Sequence, residues 1–228
     1  MNSTTAGAIL QRDGKGFAIM SHIPAGITRP EDLERIAVIG KKYRIPIMKI
    51  TSGQRIILAG IAEEDVSEVY DDLGSLAQPE INPGVKFVQA CLGTEMCRFG
   101  SQDSIALAEL IENRLHHKEF PAKVKIGVSG CQRCCSESQI RDVGIIGTIR
   151  GWMIFFGGNG GTKPRIGDLI ASGLSSDEAI DCTVRLLEYY QDHAHHKERT
   201  ARFMERIGVE VLKRELLSMI PYIPLEKV

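Results

Sequence analysis

Short apolar runs of β-like character, bounded by polar and turn residues, open the chain. GFAIMSHIP (16–24), PIMKITSG (46–53) and RIILAGI (55–61) read as strands on this pattern. RPEDLERIAVIGKKY (29–43) carries its apolar residues at helical spacing, and Arg29 and Pro30 open that helix, where proline in the first turn costs little. A second helix is predicted over EEDVSEVYDDLGSLA (63–77), after Gly60. Residues 8 to 78 therefore read as an α+β unit in which strand leads to helix and the order repeats.

QPEINPG (78–84) concentrates proline and glycine and marks the predicted boundary, giving domains 1–80 and 81–228. VKFVQACLG (85–93) then reads as a strand running into a cysteine loop, and DSIALAELIENRLHHKE (103–119) as an amphipathic helix. KVKIGVSG (123–130) is a strand ending at a second cysteine loop. VGIIGTIRGWMIFFGGNGG (143–161) reads as a strand pair closing in a glycine-rich loop, and two helices are expected within 176–217. HAHHKER (193–199) reads as a polar helix face in water.

Composition narrows the function. Hydrophobic residues make up 43% and charged residues 25% of 228 residues, and the formal net charge is −1, so there is no positive excess of the size nucleic acid needs. No apolar run is long enough for a membrane span, and the start MNSTTAGAILQRDGKG lacks the order of a secretory signal. A cytoplasmic protein that binds neither nucleic acid nor membrane is the expectation. In a reducing compartment, clustered cysteines point to metal or redox chemistry rather than to a disulfide framework. Cys182 stands apart on a helical apolar stripe and reads as a small core residue.

The other five of the six cysteines fall in CLGTEMCRFG (91–100) and SGCQRCCSES (129–138). Cys91, Cys97, Cys131 and Cys134 would give a CxxC half of a structural zinc site, the basis of a non-enzymatic, zinc-stabilised binding domain. Cys91, Cys97, Cys131 and Cys135 would give CxxxxxC and CxxxC, a wider reach that suits a cluster of several irons better than one zinc ion. Each loop follows a strand, so two neighbouring strand ends could bring both pairs to one point. Lys123 and Lys125 alternate along their strand and share a face. Two solvated lysines on an edge strand are the plain alternative.

ACLGTEMC, then KVKIGVSGCQRCC, then DVGIIGT resembles the cluster half of the sirohaem-containing sulfite and nitrite reductases, whose signature is CxxxxxC, a KxK strand and GCxxxC. GFAIMSHIPAGITRPEDLERIA and KITSGQRI are similar to that family's ferredoxin-like half domain. GGNGGTKPRIG and ERTARFMERIGVE also fit, so the likeness runs from about residue 10 to about residue 210. The fold class it implies is α+β, a ferredoxin-like half domain followed by a sirohaem and 4Fe-4S-binding α+β domain.

The resemblance implies that Cys91, Cys97, Cys131 and Cys135 hold a four-iron four-sulfur cluster, that Cys135 is also the proximal ligand of the sirohaem iron, and that Cys134 is spare. It implies that Lys123 and Lys125 line the pocket for a small anion, sulfite or nitrite, where positive groups hold the anion and donate protons. Sirohaem carries eight carboxylates, for which Lys49, Arg55, Arg98, Arg133, Lys163 and Arg165 are candidate partners. Gly157, Gly158, Gly160 and Gly161 could let backbone approach the macrocycle.

The implied activity is six-electron reduction of sulfite to sulfide. Nitrite reduction and a sirohaem electron-transfer protein of altered substrate are the alternatives. IMSHIPAG offers Met20 and His22 where the family pattern has arginines, KFVQAC offers only Lys86, and Arg55 follows Gln54 rather than preceding it. No flavin or nicotinamide fingerprint and no CxxCxxC segment is present, which implies an external electron donor such as ferredoxin. Longer family members contain the unit twice with the haem between the copies, so a homodimer is expected here.

Overall fold

The structure, a computed structural model, describes residues 7–77, 83–115 and 117–219, in two units, Met1–Glu80 and Ile81–Val228. Most of the proline and glycine stretch, 78–82, and the first six residues lie outside the described residues.

In the first unit, β1 (Ile9–Leu10), β2 (Phe17–Met20), β3 (Ile47–Ile50) and β4 (Ile56–Ile61) form an antiparallel sheet in the order β1-β2-β4-β3. α1 (Pro30–Lys42) and α2 (Val66–Leu73) complete the unit. Phe17, Ile19, Leu58 and Ile61 of the sheet bury against Ile36, Ile39, Val66, Val69 and Leu73 of the helices. Arg29 caps α1 with Pro30 in the first turn, and its side chain pairs with Asp32 at 3.2 Å. The helix expected over 63–77 is shorter. Gly74, at φ 55, ends α2, and 3-10 turns flank it at Glu63–Asp65 and Gly74–Leu76.

Two stretches of the resemblance meet in this unit. Ala25 (φ 51) and Gly26 (φ 75) turn the chain after β2, and a side chain at Gly26 would stand 2.9 Å from the Gln54 side chain. Ala25 holds a left-handed conformation that glycine adopts more cheaply. β3 is an edge strand, and all four of its residues are exposed.

The second unit has a five-stranded sheet, β5 (Val85–Ala90), β6 (Val124–Ser129), β7 (Val143–Thr148), β8 (Gly151–Phe156) and β9 (Asp168–Leu174), in that order. β5, β6 and β7 run parallel; β8 and β9 return antiparallel. Parallel neighbours need a crossover, and α4 (Ser104–Leu115), preceded by the single turn α3 (Gly93–Met96), supplies it between β5 and β6. Val124, Ile126 and Val128 are fully buried, as are Leu107, Ala108, Ile111 and Leu115 of α4. Lys125, Gly127 and Ser129 alternate onto the other face.

Four readings change here. β6 is an interior strand between β5 and β7, so Lys125, which it carries, does not lie on a sheet edge as the plain alternative would have it, and Lys123 stands just ahead of the strand. β9 occupies a stretch for which no strand was predicted. The two helices expected over 176–217 are three, α5 (Ser176–His193), α6 (Thr200–Ile207) and α7 (Val209–Met219), the last two parted by Gly208 at φ 79. HAHHKER is not a helix face: α5 ends at His193, and 194–199 is the link to α6. Cys182 is buried in α5, where burial pushes its thiol up to about 12. No described helix is long and apolar enough to cross a membrane.

Candidate functional site

The parallel pairing of β5 with β6 sets the two cysteine loops side by side. Ala90 pairs with Val128, and the Cys91 N–H donates to the Val128 carbonyl at 3.2 Å, so Cys91 and Cys131 leave adjacent strand ends. Beyond them the loops interlock. Ser101 and Gln102 N–H groups donate to the Gly130 carbonyl at 2.8 and 3.0 Å, and Gly130 N–H donates to Cys91 Sγ at 3.1 Å. A side chain at Gly130 would stand 2.7 Å from both Gly93 Cα and the Gln102 carbonyl, so only glycine allows this approach. Cys97 closes α3, and next to it Arg98 lies over the Phe99 ring at 4.6 Å. Arg133, from the second loop, lies over the same ring at 3.8 Å, so cations of both loops meet on one aromatic residue.

The segment after Cys135 turns back over its own sheet. Cys134 (φ 56) and Glu137 (φ 54) take left-handed conformations, and the N–H groups of Cys134 and Glu137 donate to Cys131 and Cys134 carbonyls at 3.1 and 2.9 Å. Gly127 of β6 pairs with Gly144 of β7, leaving a bare patch on the sheet. A side chain at Gly127 would stand 2.7 Å from the Ser136 carbonyl, and one at Gly144 would overlap the Ser138 carbonyl. Buried Ser129 accepts from Ser136 N–H at 3.1 Å and lies 2.8 Å from the Ser138 hydroxyl, and Ser136 Oγ donates to the Val128 carbonyl at 2.9 Å. The chain that leaves Cys135 thus runs back along β6 toward the lysines.

Four cations collect where it arrives. Lys125 is half-buried, with its ammonium 5.7 Å from the centre of the Phe87 ring, and the Arg141 guanidinium lies 5.3 Å from the same ring. Arg141 donates to Gln89 at 2.6 Å and to Glu137 at 2.7 Å. Asp142, only 1% exposed, accepts the Lys125 backbone N–H at 2.9 Å, the Arg199 guanidinium at 2.8 and 2.9 Å and the Thr200 hydroxyl at 2.5 Å. Burial holds the Lys125 ammonium below the usual lysine range, as do the positive charges of Lys123, Arg199 and Arg141, while Asp142 opposes them. Lys123 is exposed.

Reading the sequence missed Arg141 and Arg199, and its polar-face reading of 193–199 hid the second. Of the other candidates, Arg165 is engaged in closing the glycine loop, donating to the Gly157 carbonyl at 3.0 Å and to Asp168 at 2.6 Å. Lys163 is exposed on that loop. Gly157 and Gly158 serve packing, since side chains there would meet Met204 and the Arg141 carbonyl. Lys49 is exposed on β3 and Arg55 is buried at the turn before β4, both in the first unit.

A cleft of about 630 Å³ opens beside the second cysteine loop, lined among others by Phe99, Cys131, Arg133, Arg150 and Met153. Among the described residues, no three Cys, His, Asp or Glu side chains are gathered closely enough to hold a single metal ion. Five free thiols on two interlocked loops, one accepting a backbone N–H, fit a larger iron–sulfur group.

Comparison with known proteins agrees with this arrangement. Residues 9–76 match the nitrite/sulfite reductase ferredoxin-like half domain, and residues 82–221 match the nitrite and sulphite reductase 4Fe-4S domain. The chain is 42% identical over 218 residues to an assimilatory-type sulfite reductase of Nitratidesulfovibrio vulgaris, covering 96% of this chain and all of that protein. It is 39% identical over 202 residues to the nitrite reductase [NAD(P)H] of Bacillus subtilis, covering 89% of this chain but 25% of that protein. The fold also matches the Mycobacterium tuberculosis NirA protein (TM-score 0.80, 17% identity, 99% of this chain, 44% of that one). Dissimilatory sulfite reductase I matches with a TM-score of 0.77 and 14% identity, over 87% of this chain and 68% of that one. With both halves matched in order, the chain belongs to the nitrite and sulphite reductase family.

Proposed function

We propose that the chain reduces sulfite to sulfide in the cytoplasm, with nitrite as the alternative substrate. The cofactors are the family's, sirohaem and a four-iron four-sulfur cluster. In this reading Cys91, Cys97, Cys131 and Cys135 would hold the cluster, and the Cys135 thiolate would also serve the sirohaem iron. The observation that carries it is the second cysteine loop, which leaves the thiols and folds back over Gly127 and Gly144 toward four cations on the same unit. When bound, the two groups supply the electrons and the iron at which the S–O bonds break.

The chain's own part is charge and protons. Bisulfite takes up six electrons and six protons to give hydrosulfide and three waters, so each oxygen must leave protonated. Lys123 and Lys125 hold the anion in this proposal, and Lys125, more acidic than an ordinary lysine, is the better proton donor. Arg98 and Arg133 place positive charge beside the thiolates and, with Lys49, Arg55, Lys163 and Arg165, are the partners proposed for sirohaem carboxylates. Electrons come from a separate small carrier such as a ferredoxin. Two chains associate in this proposal, and the exposed edge strand β3, with Ile47, Met48 and Ile50, supports such a contact.

Anaerobic purification with an absorption spectrum tests the cofactors, and reduced methyl viologen with sulfite or nitrite tests the substrate. Cys135→Ser should abolish the coupling of haem and cluster spectra while Cys134→Ser leaves it. The reverse pattern would remove the assignment. Light scattering should find a dimer; a fully active monomer would overturn that part.

A further inference from the structure

We propose that the Asp142–Arg199 ion pair is a positioning element for Lys125, fixing that residue's backbone and setting one negative and one positive charge beside its ammonium group. This rests on the reading of Lys125 as an anion-facing proton donor and adds two residues to it. The geometry starts from the sheet. β7 begins at Val143, which pairs with Ile126, so the ladder offers Lys125 no partner on that side. The Asp142 side chain takes over one residue earlier and accepts the Lys125 N–H at 2.9 Å.

A carboxylate buried to this depth is costly unless charge and hydrogen bonds meet it. Arg199 meets it with two hydrogen bonds from one nitrogen, at 2.8 and 2.9 Å, and Thr200 adds its hydroxyl. Both lie at the start of α6, so one carboxylate keys that helix to the strand carrying Lys125. The charged groups acting on Lys125 are Lys123 just ahead of its strand, Arg141 and Asp142 ahead of β7, and Arg199. Glu137 is engaged by Arg141, and β5 presents the Phe87 ring.

The two members of the pair act on the ammonium with opposite sign. Asp142 favours the protonated amine and Arg199 disfavours it. A purely structural pair would give the same direction of change whichever member was lost. The experiment is competitive amine labelling of the full-length holoprotein across pH, with Lys125 read from its peptide by mass spectrometry. Asp142→Asn should move the labelling midpoint down and Arg199→Gln should move it up, each by about half a pH unit or more.

Shifts in the same direction, or none, overturn the proposal. Should Asp142→Asn not fold, Arg199→Gln decides alone, and an unchanged or lower midpoint overturns it. The role of Lys125 is tested separately by titrating sulfite against Lys125→Met and following the haem spectrum. Unchanged affinity there would sink the reading of Lys125 as a residue that faces and holds the anion, and leave the labelling result standing.

Discussion

The two ends of β6 solve opposite problems. Its C-terminal end presents thiols, and it does so by removing side chains: Gly130 lets the two cysteine loops touch, and their backbone groups hydrogen-bond across the contact. Its N-terminal end presents cations, and it does so by adding side chains: Asp142 and Glu137 hold Arg199 and Arg141 beside Lys125. Each end also rests two cations on a phenylalanine, Phe99 at one and Phe87 at the other. One end depends on close backbone approach, which tolerates no added volume. The other depends on charge balance, which tolerates volume but not a lost partner.

That contrast can be broken most sharply at the patch between the ends. Gly144→Ala forces the Ser138 carbonyl away from β7, and we expect a loss of roughly 3 kcal/mol in urea unfolding, with the cluster no longer retained. A stable, fully loaded Gly144→Ala protein would show that the loop does not need its seat. A smaller effect is expected from Phe99→Ala, about 1 kcal/mol, from two cation contacts at a partly exposed ring. Its signature should be faster cluster loss to a chelator, with the pH profile of Lys125 labelling unmoved. Phe87→Ala should leave the chelator rate alone, which separates the two rings.

The smallest effect concerns how α6 is held at the cation end. The Arg206 guanidinium, with His195 N–H assisting, holds Glu198 at about 2 instead of the ordinary 4.5. A lowered carboxylate pKa stabilises the fold above the unfolded value and ceases to do so as pH falls from 4.5 through about 2. The melting temperature of the intact protein should therefore drop over that window, and Arg206→Met should flatten the drop. An equal drop in the variant would place the acid sensitivity elsewhere.

Most of the strands and the cysteine loops were legible in the sequence because they are local. Val124, Ile126 and Val128 alternate with Lys125, Gly127 and Ser129, and the alternation alone fixes which residues share a face. β9 was not legible, since DLIASGL follows the glycine loop directly and carries Gly173 at φ 74 near its end. α6 and α7 merge in a periodicity reading because Gly208 breaks the backbone while the apolar spacing continues on both sides. Arg141 and Arg199 could not be found from pattern at all. Asp142 and Arg199 stand 57 positions apart, and only the return of α6 onto the sheet brings them together.

The paired glycines, Gly127 and Gly144, also bear on how this sequence can drift. Neither can acquire a side chain by itself, because each lies under a different serine carbonyl of one segment. A lineage that rebuilt the loop between the second cysteine pair and β7 would have to renegotiate both strands in the same step. A change at either bare position and a change in the segment that follows the second cysteine loop are therefore coupled, although they sit on separate stretches of chain.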